Sequence, residues 1–401
     1  MSDTTKFIST SANSIEASIT MEITALAKQL KSEGKPVISM SAGEPDFDTA
    51  DNIKAAGIRS IEEGKTKYTA ASGIDDLKTA ICDKLKRDHG LSYAANQVIV
   101  SSGAKHSLFT ALSAILNPGD DVIIPGPYWV SYPAQVSMLG AKPVFIETNQ
   151  HTNFKITADA LEKAITAKTK CLLLNSPSNP TGMVYSKDEL EAIAAVVVKH
   201  DILVVSDEIY EQLVYEGKHV SIAEISPEMK ARTILINGVS KAYSMTGWRI
   251  GYTAAEPAII AAMSRLQSHA TSNPNNAAQY AALEAIAGSQ DIVFTMKKAF
   301  AERREYMLQR LNSIDGISCL SPQGAFYAFP SIEGLLGKSC SSGQISSGLD
   351  LCKYLLQEKS IACVPGEGFG APGYIRLSYA TSMENIKEAM DRLQAWVATL
   401  S

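Results

Sequence analysis

The sequence predicts an α/β protein, with a large domain built on a mostly parallel mixed sheet flanked by helices and a smaller α+β domain. Short apolar runs alternate with helical patterns from about residue 95 to residue 255, whereas the C-terminal third lacks this alternation. Strand–helix alternation is typical of parallel sheets that are covered by helices on both faces. The chain of 401 residues also exceeds an average domain, which has about 150 residues.

The apolar runs of the large domain are rich in Val, Ile and Leu, and each is long enough for a strand buried on both faces. The predicted strands are residues 98–100, 121–124, 144–146, 171–174, 202–205 and 233–236. Helical patterns between them include residues 105–116 and 187–200. We therefore place the large domain at residues 51–295.

The C-terminal third has a different order of elements. A long helix, a strand, a second helix and another strand are predicted at residues 291–312, 324–329, 348–358 and 374–378. This order indicates a smaller α+β domain that is joined to the first through the long helix. We assign residues 1–50 and 296–401 to it.

Composition and charge argue against a nucleic-acid-binding, membrane or secreted protein. Apolar residues make up 45% and charged residues 20% of the chain, the net charge is −5, and no basic run points to nucleic acid. The six cysteines form no CxxC pair, which favours reduced thiols in the cytosol. No apolar stretch approaches the ~20 residues of a membrane span, and the first residues lack a secretory apolar region. We expect a cytoplasmic protein that binds neither nucleic acid nor membranes.

Candidate site residues follow the predicted strands, because ligands bind beyond the carboxyl ends of strands in open α/β sheets. Gly103, Ala104 and Lys105 follow the first run and open a helix, whose free N–H groups suit a phosphate. The later strand ends carry, in order, Asn179, Asp207, Tyr210, Lys241 and Arg249. Each alone is well explained as a turn, a cap or a solvated side chain. Their occurrence together, in this order, is not explained in that way.

This ordered set resembles the fold-type I pyridoxal-phosphate-dependent aminotransferases. The resemblance extends through AGEPDF at 42–47, KY at 67–68, PYWVSYP at 127–133 and IRLSYA at 375–380. It is nearest to the bacterial branch of aspartate aminotransferases, which also contains prephenate aminotransferases. The resemblance implies pyridoxal 5′-phosphate as the cofactor. It also implies ping-pong conversion of L-aspartate and 2-oxoglutarate to oxaloacetate and L-glutamate.

The resemblance assigns the catalytic roles to three residues. Lys241 matches the lysine that carries the cofactor as a Schiff base and then moves the substrate's α-proton. Asp207 matches the carboxylate that keeps the pyridine nitrogen protonated, so that the ring accepts electrons. Tyr210, together with Asn179, matches the pair that hydrogen-bonds the phenolate oxygen of the ring.

The resemblance also implies a phosphate site. Arg249 matches the phosphate-binding arginine, with Gly103, Ala104 and Lys105 at the helix start, and an arginine fork suits phosphate geometry. Tyr68 resembles the tyrosine that reaches the phosphate of the neighbouring subunit. A homodimer with shared active sites follows from that match.

The remaining implied roles concern the substrate. Trp129 matches the aromatic residue that stacks on the cofactor ring, and we count it among the substrate-binding residues as well. Arg376 resembles the arginine that holds the α-carboxylate with two hydrogen bonds. Asn179 and the backbone of Gly43 are expected to assist it.

The sequence departs from the family pattern at three positions. Gly238 stands where many relatives have Ser or Thr, and Ala104 stands where others have Thr. Glu16 falls where some close relatives carry a basic residue, although Ser18 and Thr20 fit their pattern. These departures leave the residue that recognises a second substrate carboxylate unassigned.

Several alternatives stay open at this point. Prephenate, aromatic amino acids or alanine are plausible substrates on the same scaffold, and a pyridoxal-phosphate-dependent lyase or synthase would share the same core residues. A non-enzymatic regulator of this fold would carry a DNA-binding domain. We expect no room for one, because the family-like pattern begins within the first ~20 residues and no basic recognition helix is present.

Overall fold

The computed structural model describes residues 4–13, 15 and 19–401. The helices within these ranges are α1 (Thr10–Asn13), α2 (Ile19–Ser32), α3 (Asp51–Glu62), α4 (Asp75–His89), α5 (Ala104–Ile115), α6 (Ser131–Met138), α7 (Ala158–Ala164), α8 (Lys187–Lys199), α9 (Pro227–Arg232), α10 (Pro257–Ala270), α11 (Asn276–Ala287), α12 (Asp291–Leu311), α13 (Gly348–Lys359) and α14 (Met383–Val397). The strands are β1 (Ile38–Ser39), β2 (Val98–Ser101), β3 (Asp121–Pro125), β4 (Lys142–Ile146), β5 (Thr169–Asn175), β6 (Leu203–Asp207), β7 (Thr233–Gly238), β8 (Gly251–Ala254), β9 (Tyr327–Ala328), β10 (Ser339–Cys340), β11 (Gly343–Gln344), β12 (Ile361–Ala362), β13 (Val364–Pro365) and β14 (Ile375–Ser378).

A seven-stranded sheet with the order β2-β8-β7-β6-β5-β3-β4 forms the centre of the large domain. The strands from β7 to β4 are parallel to their neighbours, whereas β8 is antiparallel to both β7 and β2. The prediction of a mostly parallel, mixed sheet is therefore confirmed. Asn175 and Asp207 are register partners at the ends of β5 and β6, so two predicted site segments begin at the same sheet edge.

All six predicted apolar runs contribute to strands β2 to β7. Strand β8 was not predicted, because its four residues include Gly251 and Ala254 and give a weak apolar signal. The expectation that residues 144–146 are buried on both faces is wrong. They belong to the edge strand β4, where Phe145 is 44% exposed.

The smaller unit has a three-stranded antiparallel sheet in the order β13-β14-β9 and a parallel pair of β1 with β12. The strand predicted at residues 324–329 is shorter than expected, since only β9 joins the sheet. Ala325 adopts a left-handed backbone with φ of 58°, which interrupts the extended conformation before β9.

Helix α12 links the two units. Near its start, Val293 packs into the apolar core that lies between the large sheet and its helices. One turn later, Met296 packs into the core of the smaller unit, together with residues of β1 and α14. This change of core supports the boundaries that we propose, with residues 51–295 in the large domain and residues 1–50 and 296–401 in the small one.

Two predictions from composition concern the whole chain. All six cysteines are free thiols, in agreement with the reduced state expected from their spacing. Among the helices that the structure describes, none is long and apolar enough to cross a membrane. The cytoplasmic location stays a prediction.

Candidate active site

A cavity of about 560 Å³ lies at the carboxyl ends of β5 and β6, where the two units meet. Ten of the predicted site residues line it: Gly43, Ala104, Lys105, Trp129, Asn179, Asp207, Tyr210, Lys241, Arg249 and Arg376. Their sequence positions span more than 330 residues, so the fold rather than local sequence brings them together. Gly103 lies beside the cavity against Arg249, and Tyr68 lies elsewhere.

Lys241 follows the last residue of β7 by three positions. Its Nζ donates a hydrogen bond to the backbone carbonyl of Gly43, which also lines the cavity. Burial lowers the pKa of Lys241 to about 8, and the charges of Arg376 and Arg249 act in the same direction. A lysine with this pKa has a sizeable neutral fraction near neutral pH, which suits a nucleophile or a base.

Asp207 is the last residue of β6 and is buried. Tyr132 Oη donates a 2.8 Å hydrogen bond to its Oδ2, and the backbone N–H of Ile209 donates to Oδ1 at 3.2 Å. Burial nevertheless raises the pKa of Asp207 to about 6. A buried carboxylate of this kind is stabilised by a cation, such as a protonated ring nitrogen, placed beside it.

Arg376 is the second residue of β14 and is also buried. Its Nη1 donates to Asn179 Oδ1 at 3.0 Å, and its Nη2 donates to the carbonyl of Ser41 at 2.9 Å. The guanidinium lies 4.4 Å from the ring centroid of Tyr327. Its Nε has no hydrogen-bond partner among the described residues. A buried donor without a partner is costly, so an anion that satisfied it would be bound favourably.

The start of α5 forms a cradle with Arg249. Gly103 has φ of 92°, a backbone conformation that strains any other residue, and it lies directly against the Arg249 guanidinium. Helix α5 begins at Ala104, and the first N–H groups of a helix have no partner within it. Arg249 is held by a 2.8 Å hydrogen bond from Nη1 to the carbonyl of Thr246. Backbone donors and a guanidinium thus meet at one point, which suits a phosphate group.

Lys105 and Trp129 border another side of the cavity. Lys105 Nζ lies 4.7 Å from the centroid of the Trp129 ring, which is a favourable cation–π distance. Burial and the charge of Arg249 lower the pKa of Lys105. The Trp129 ring packs edge-on against Tyr132, with centroids 5.4 Å apart, and is thereby fixed in orientation.

The model of the family "Aminotransferase class I and II" matches residues 35–393. The chain belongs to this family. It is 53% identical to the aspartate aminotransferase of Bacillus sp. (strain YM-2), over 95% of the chain and 96% of the relative. It is 48% identical to the aspartate/prephenate aminotransferase of Nitrosomonas europaea, over 96% of the chain and 98% of the relative.

Solved structures agree with this assignment. The aspartate aminotransferase of Rhizobium meliloti superimposes with a TM-score of 0.95 at 44% identity, covering 98% of this chain and 99% of the other. The fold class predicted from the sequence is therefore confirmed at the level of the family. The chain is a pyridoxal-phosphate-dependent transaminase by family membership.

Tyr68 does not reach the cavity of its own chain in this aminotransferase. Its side chain is 87% exposed and lines a separate surface cavity together with Ile61. The sequence prediction placed Tyr68 in the site of a neighbouring subunit, and its exposure leaves it free for such a contact. That role stays a prediction.

Two tyrosines in the aminotransferase site were not assigned a role from the sequence. Tyr132 holds Asp207, and Tyr327 hydrogen-bonds Tyr210, with 2.8 Å between the two hydroxyl oxygens. Both tyrosines line the cavity. Tyr132 lies in a motif that resembles the family, but the sequence does not indicate which residue it contacts. No local signal marked Tyr327, since its partner lies 117 residues away in the chain.

The structure explains one departure from the family pattern. A Cβ on Gly238 would lie 2.9 Å from the carbonyl oxygen of Ile250 and 3.0 Å from Gly251 Cα, because β8 packs closely there. A serine or threonine would not fit at this position without a shift of the backbone. Glu16 and Ser18 lie outside the described residues, and the side chain of Thr20 is not described.

A buried ionic network lies behind the segment that carries Asp207 and Tyr210. Glu211 binds Lys84 and His89 of α4, with 2.5 Å from Glu211 Oε2 to His89 Nε2. The other ring nitrogen of His89 lies 2.7 Å from Glu224 Oε1. Burial alone would lower the pKa of His89, but hydrogen bonds to Glu211 and Glu224 outweigh it and raise the pKa to about 10.

Glu208 extends this buried network. Its Oε2 lies 3.0 Å from His219 Nε2, while its Oε1 accepts hydrogen bonds from Ser206 and Ser221. Residues 208–212 follow the end of β6 and belong to neither a helix nor a strand. Side-chain bonds therefore supplement the few backbone hydrogen bonds that hold this segment in place.

Proposed function

We propose that this aminotransferase binds pyridoxal 5′-phosphate in the cavity and transfers the amino group of L-aspartate to 2-oxoglutarate. The observation that carries the proposal is the convergence of Lys241, Asp207 and Arg376 on one cavity. Each has the property that its role requires. Lys241 has a lowered pKa, Asp207 is a buried carboxylate, and Arg376 has a buried donor without a partner among the described residues.

The side chains fit the polar groups of the cofactor. The N–H groups at the start of α5 and Arg249 would hold the phosphate, and Asp207 would hold the ring nitrogen. Asn179 uses Oδ1 to accept from Arg376, which leaves its Nδ2 as a donor to the ring oxygen beside Tyr210. Trp129, fixed by Tyr132, would stack on the ring face.

When bound, the cofactor supplies an electron sink for the negative charge that develops on the substrate's α-carbon. The protein supplies the proton transfer. Lys241 would accept the proton from the substrate's α-carbon and deliver it to the cofactor. A pKa near 8 lets the amine both accept and release a proton near neutral pH. Asp207 stays ionised when it faces a protonated ring nitrogen, so that the nitrogen keeps its proton.

Arg376 binds the carboxylate that all α-amino acids share. Its Nη groups are fixed by Asn179 and by the carbonyl of Ser41, and its ring contacts with Tyr327 and Phe369 set the plane of the guanidinium. A guanidinium held in this way loses little entropy when it forms two hydrogen bonds to a carboxylate. Substrate orientation follows from that pairing.

Lys105 is our candidate for the second carboxylate of a dicarboxylic substrate. The cationic side chains that line the cavity, among the described residues, are Lys105, Lys241, Arg249 and Arg376. Three of these already have roles, and Lys105 Nζ remains over the Trp129 ring. A partly desolvated ammonium attracts a carboxylate more strongly than an ammonium in bulk water does. Its backbone N–H would still belong to the phosphate cradle.

Prephenate is the second candidate acceptor, favoured by the similarity to the Nitrosomonas europaea enzyme that carries both names. An absorbance titration of the cofactor-loaded protein separates the candidates. We expect L-aspartate and L-glutamate to convert the cofactor spectrum and 2-oxoglutarate to restore it, with oxaloacetate as the keto acid product of aspartate. Conversion by aromatic donors alone, or restoration by prephenate alone, would contradict the aspartate assignment. Absence of a keto acid product would favour a lyase or synthase.

We further propose that the enzyme is a homodimer with shared active sites. Tyr68 is 87% exposed, and Ile58 and Ile61 of α3 are more than half exposed, which leaves an apolar face beside Tyr68. Apolar faces of this kind are typical of protein interfaces. Mixing Lys241→Ala chains with Tyr68→Ala chains tests the sharing directly, because one intact site forms only if Tyr68 acts across the interface. No recovery of activity in a verified mixed dimer would contradict it.

A further inference from the structure

Tyr327 and Tyr210 form a buried pair that joins the two domains at the cavity. Tyr327 is the first residue of β9, and Tyr210 follows β6 in the large domain. Their hydroxyl oxygens lie 2.8 Å apart, and both side chains are buried. Among the described residues neither hydroxyl has a further hydrogen-bond partner.

The number of hydroxyl protons in this pair determines which hydrogen bonds it can donate. Each hydroxyl carries one proton and can also accept, so two hydroxyls hold two protons. The hydrogen bond between them uses one proton, and the other is available to a third group. If Tyr210 donates its proton to an oxygen in the cavity, the bond within the pair must be donated by Tyr327.

We propose that Tyr327 is a positioning residue that donates to Tyr210 Oη and thereby directs the Tyr210 proton to the cofactor's ring oxygen. This inference rests on the proposed function, in which Tyr210 hydrogen-bonds that oxygen. A hydroxyl that accepts one hydrogen bond becomes a stronger donor in the next, because successive bonds polarise one another. Tyr327 therefore strengthens a bond that it does not itself make.

Room for the Tyr327 hydroxyl depends on Gly43. A Cβ on Gly43 would lie 3.3 Å from Tyr327 Oη, which is tighter than an ordinary contact. Lys241 Nζ meets the carbonyl of the same glycine. The segment around Gly43 thus borders both the Tyr327 hydroxyl and the catalytic lysine.

The ring of Tyr327 has a second task that is separate from its hydroxyl. It lies 4.4 Å beneath the guanidinium of Arg376, which binds the α-carboxylate in the proposed function. A phenylalanine at position 327 would keep this contact and lose only the hydroxyl, whereas a leucine would lose both. The two tasks can therefore be measured separately.

Several charged and titratable groups face the tyrosine pair from the elements packed around it. They are Asp207 at the end of β6, Arg376 of β14, Lys241 after β7, Glu44 after β1 and Tyr132 of α6. Burial raises the pKa of Tyr210 well above its usual range. Tyr210 consequently remains a protonated donor throughout the pH range in which the cofactor spectrum changes.

The test is the pH midpoint of the absorbance change of the bound cofactor, measured without substrate. Tyr327→Phe should raise this midpoint by about half a pH unit, because the anionic ring oxygen loses part of its stabilisation. Tyr379→Phe is the matched control. Tyr379 is also buried in the small domain, but its hydroxyl faces the Ala325 carbonyl at 3.4 Å, outside the cavity. Its midpoint should equal that of the unmodified protein.

A double-mutant cycle still tests the inference if the single variants lose stability. In a Tyr210→Phe background, Tyr327→Phe should shift the midpoint no further, because the Tyr210 hydrogen bond that Tyr327 strengthens is already absent. Tyr327→Leu should in addition raise KM about tenfold for all amino acid donors, through loss of the ring beneath Arg376, whereas Tyr327→Phe should leave KM nearly unchanged.

Three outcomes would overturn the inference. They are an unchanged midpoint in Tyr327→Phe, an equal shift in Tyr379→Phe, and a full additional shift in the Tyr210→Phe background. A cofactor-treated protein without any bound-cofactor spectrum would instead overturn the proposed function itself, and this inference with it.

Discussion

Arg376 of β14 donates a 3.0 Å hydrogen bond to Asn179, a residue 197 positions earlier in the chain that follows β5. The same asparagine lies beside Tyr210 and Asp207 along the cavity. The proposed α-carboxylate site and the proposed ring-oxygen site therefore share one side chain. In the proposed function, Asn179 would link substrate binding to the cofactor's ring oxygen, because it also contacts the guanidinium that holds the α-carboxylate.

Replacing Arg376 by alanine should weaken every amino acid donor to a similar degree. Loss of two charge-assisted hydrogen bonds to the α-carboxylate predicts a rise in KM of roughly 100-fold for aspartate and for alanine alike. Steady-state kinetics with both donors measures this. Arg310→Ala is the control, since Arg310 pairs with Asp391 at 2.7 Å away from the cavity. An effect confined to dicarboxylic donors would show that Arg376 is misassigned.

Replacing Lys105 by alanine should affect only the dicarboxylic substrates, in contrast to the uniform effect expected for Arg376→Ala. We expect KM for aspartate and 2-oxoglutarate to rise by roughly 10- to 100-fold, with little change for alanine, because only dicarboxylates present a second carboxylate to the ammonium. Lys105→Arg should retain most of the preference for dicarboxylates. If Lys105→Ala weakens cofactor binding and leaves the donor preference intact, its side chain belongs to the phosphate site instead.

Asp207→Asn should stabilise the cofactor-free fold while impairing catalysis. The raised pKa of Asp207 means that ionisation costs folding free energy. The cost is absent below the unfolded pKa near 3.8 and grows up to the folded pKa of about 6. It is constant above that, at no more than about 3 kcal/mol. Asparagine removes the cost and still accepts from Tyr132.

Thermal unfolding of the cofactor-free protein at pH 5 and pH 8 measures this effect. The melting temperature of Asp207→Asn should exceed that of the unmodified protein by more at pH 8 than at pH 5. Equal melting temperatures at pH 8 would mean that the carboxylate is better solvated than its burial indicates.

The ionic network behind the segment that carries Asp207 and Tyr210 predicts loss of stability in alkaline solution. Because His89 has a raised folded pKa, its contribution is fully present below the unfolded imidazole pKa of 6.5 and is lost as the pH rises through about 10. His89→Asn should destabilise the fold by about 3 kcal/mol at pH 6 and flatten the decline above pH 6.5.

Denaturant unfolding between pH 6 and pH 10 measures that slope. His200→Asn is the control, since His200 pairs with Glu162 at 2.6 Å in a partly exposed position. The His89 assignment would be wrong if both variants showed the same dependence of stability on pH as the unmodified protein.

Most of the large domain could be predicted from the sequence, because its strands are continuous apolar runs that signal burial locally. Reliance on apolar runs also explains the two errors: the edge strand β4 was expected to be buried, and the short strand β8 was not predicted. Phe145 looks like a core residue, although it is 44% exposed at the sheet edge, and Gly251 carries no apolar signal at all. The burial of a strand depends on its neighbours, which the local sequence does not reveal.

The site residues that sequence reasoning found are those that stand at strand ends or in motifs that resemble the family. Those it missed act through partners far away in the chain. Tyr327 meets Tyr210, and His89 meets Glu211, across 117 and 122 residues respectively. Such pairs have no spacing rule, since they arise only when two separate elements fold against each other.

The proposed function requires that Lys241 bonds covalently to the cofactor. Borohydride reduction of the cofactor-loaded protein, followed by mass spectrometry of its peptides, tests this directly. We expect a cofactor-sized mass increase on the peptide that contains Lys241 and none in Lys241→Ala, which should keep its fold and lose transamination. Labelling of another lysine such as Lys105, or turnover that persists in Lys241→Ala, would contradict it.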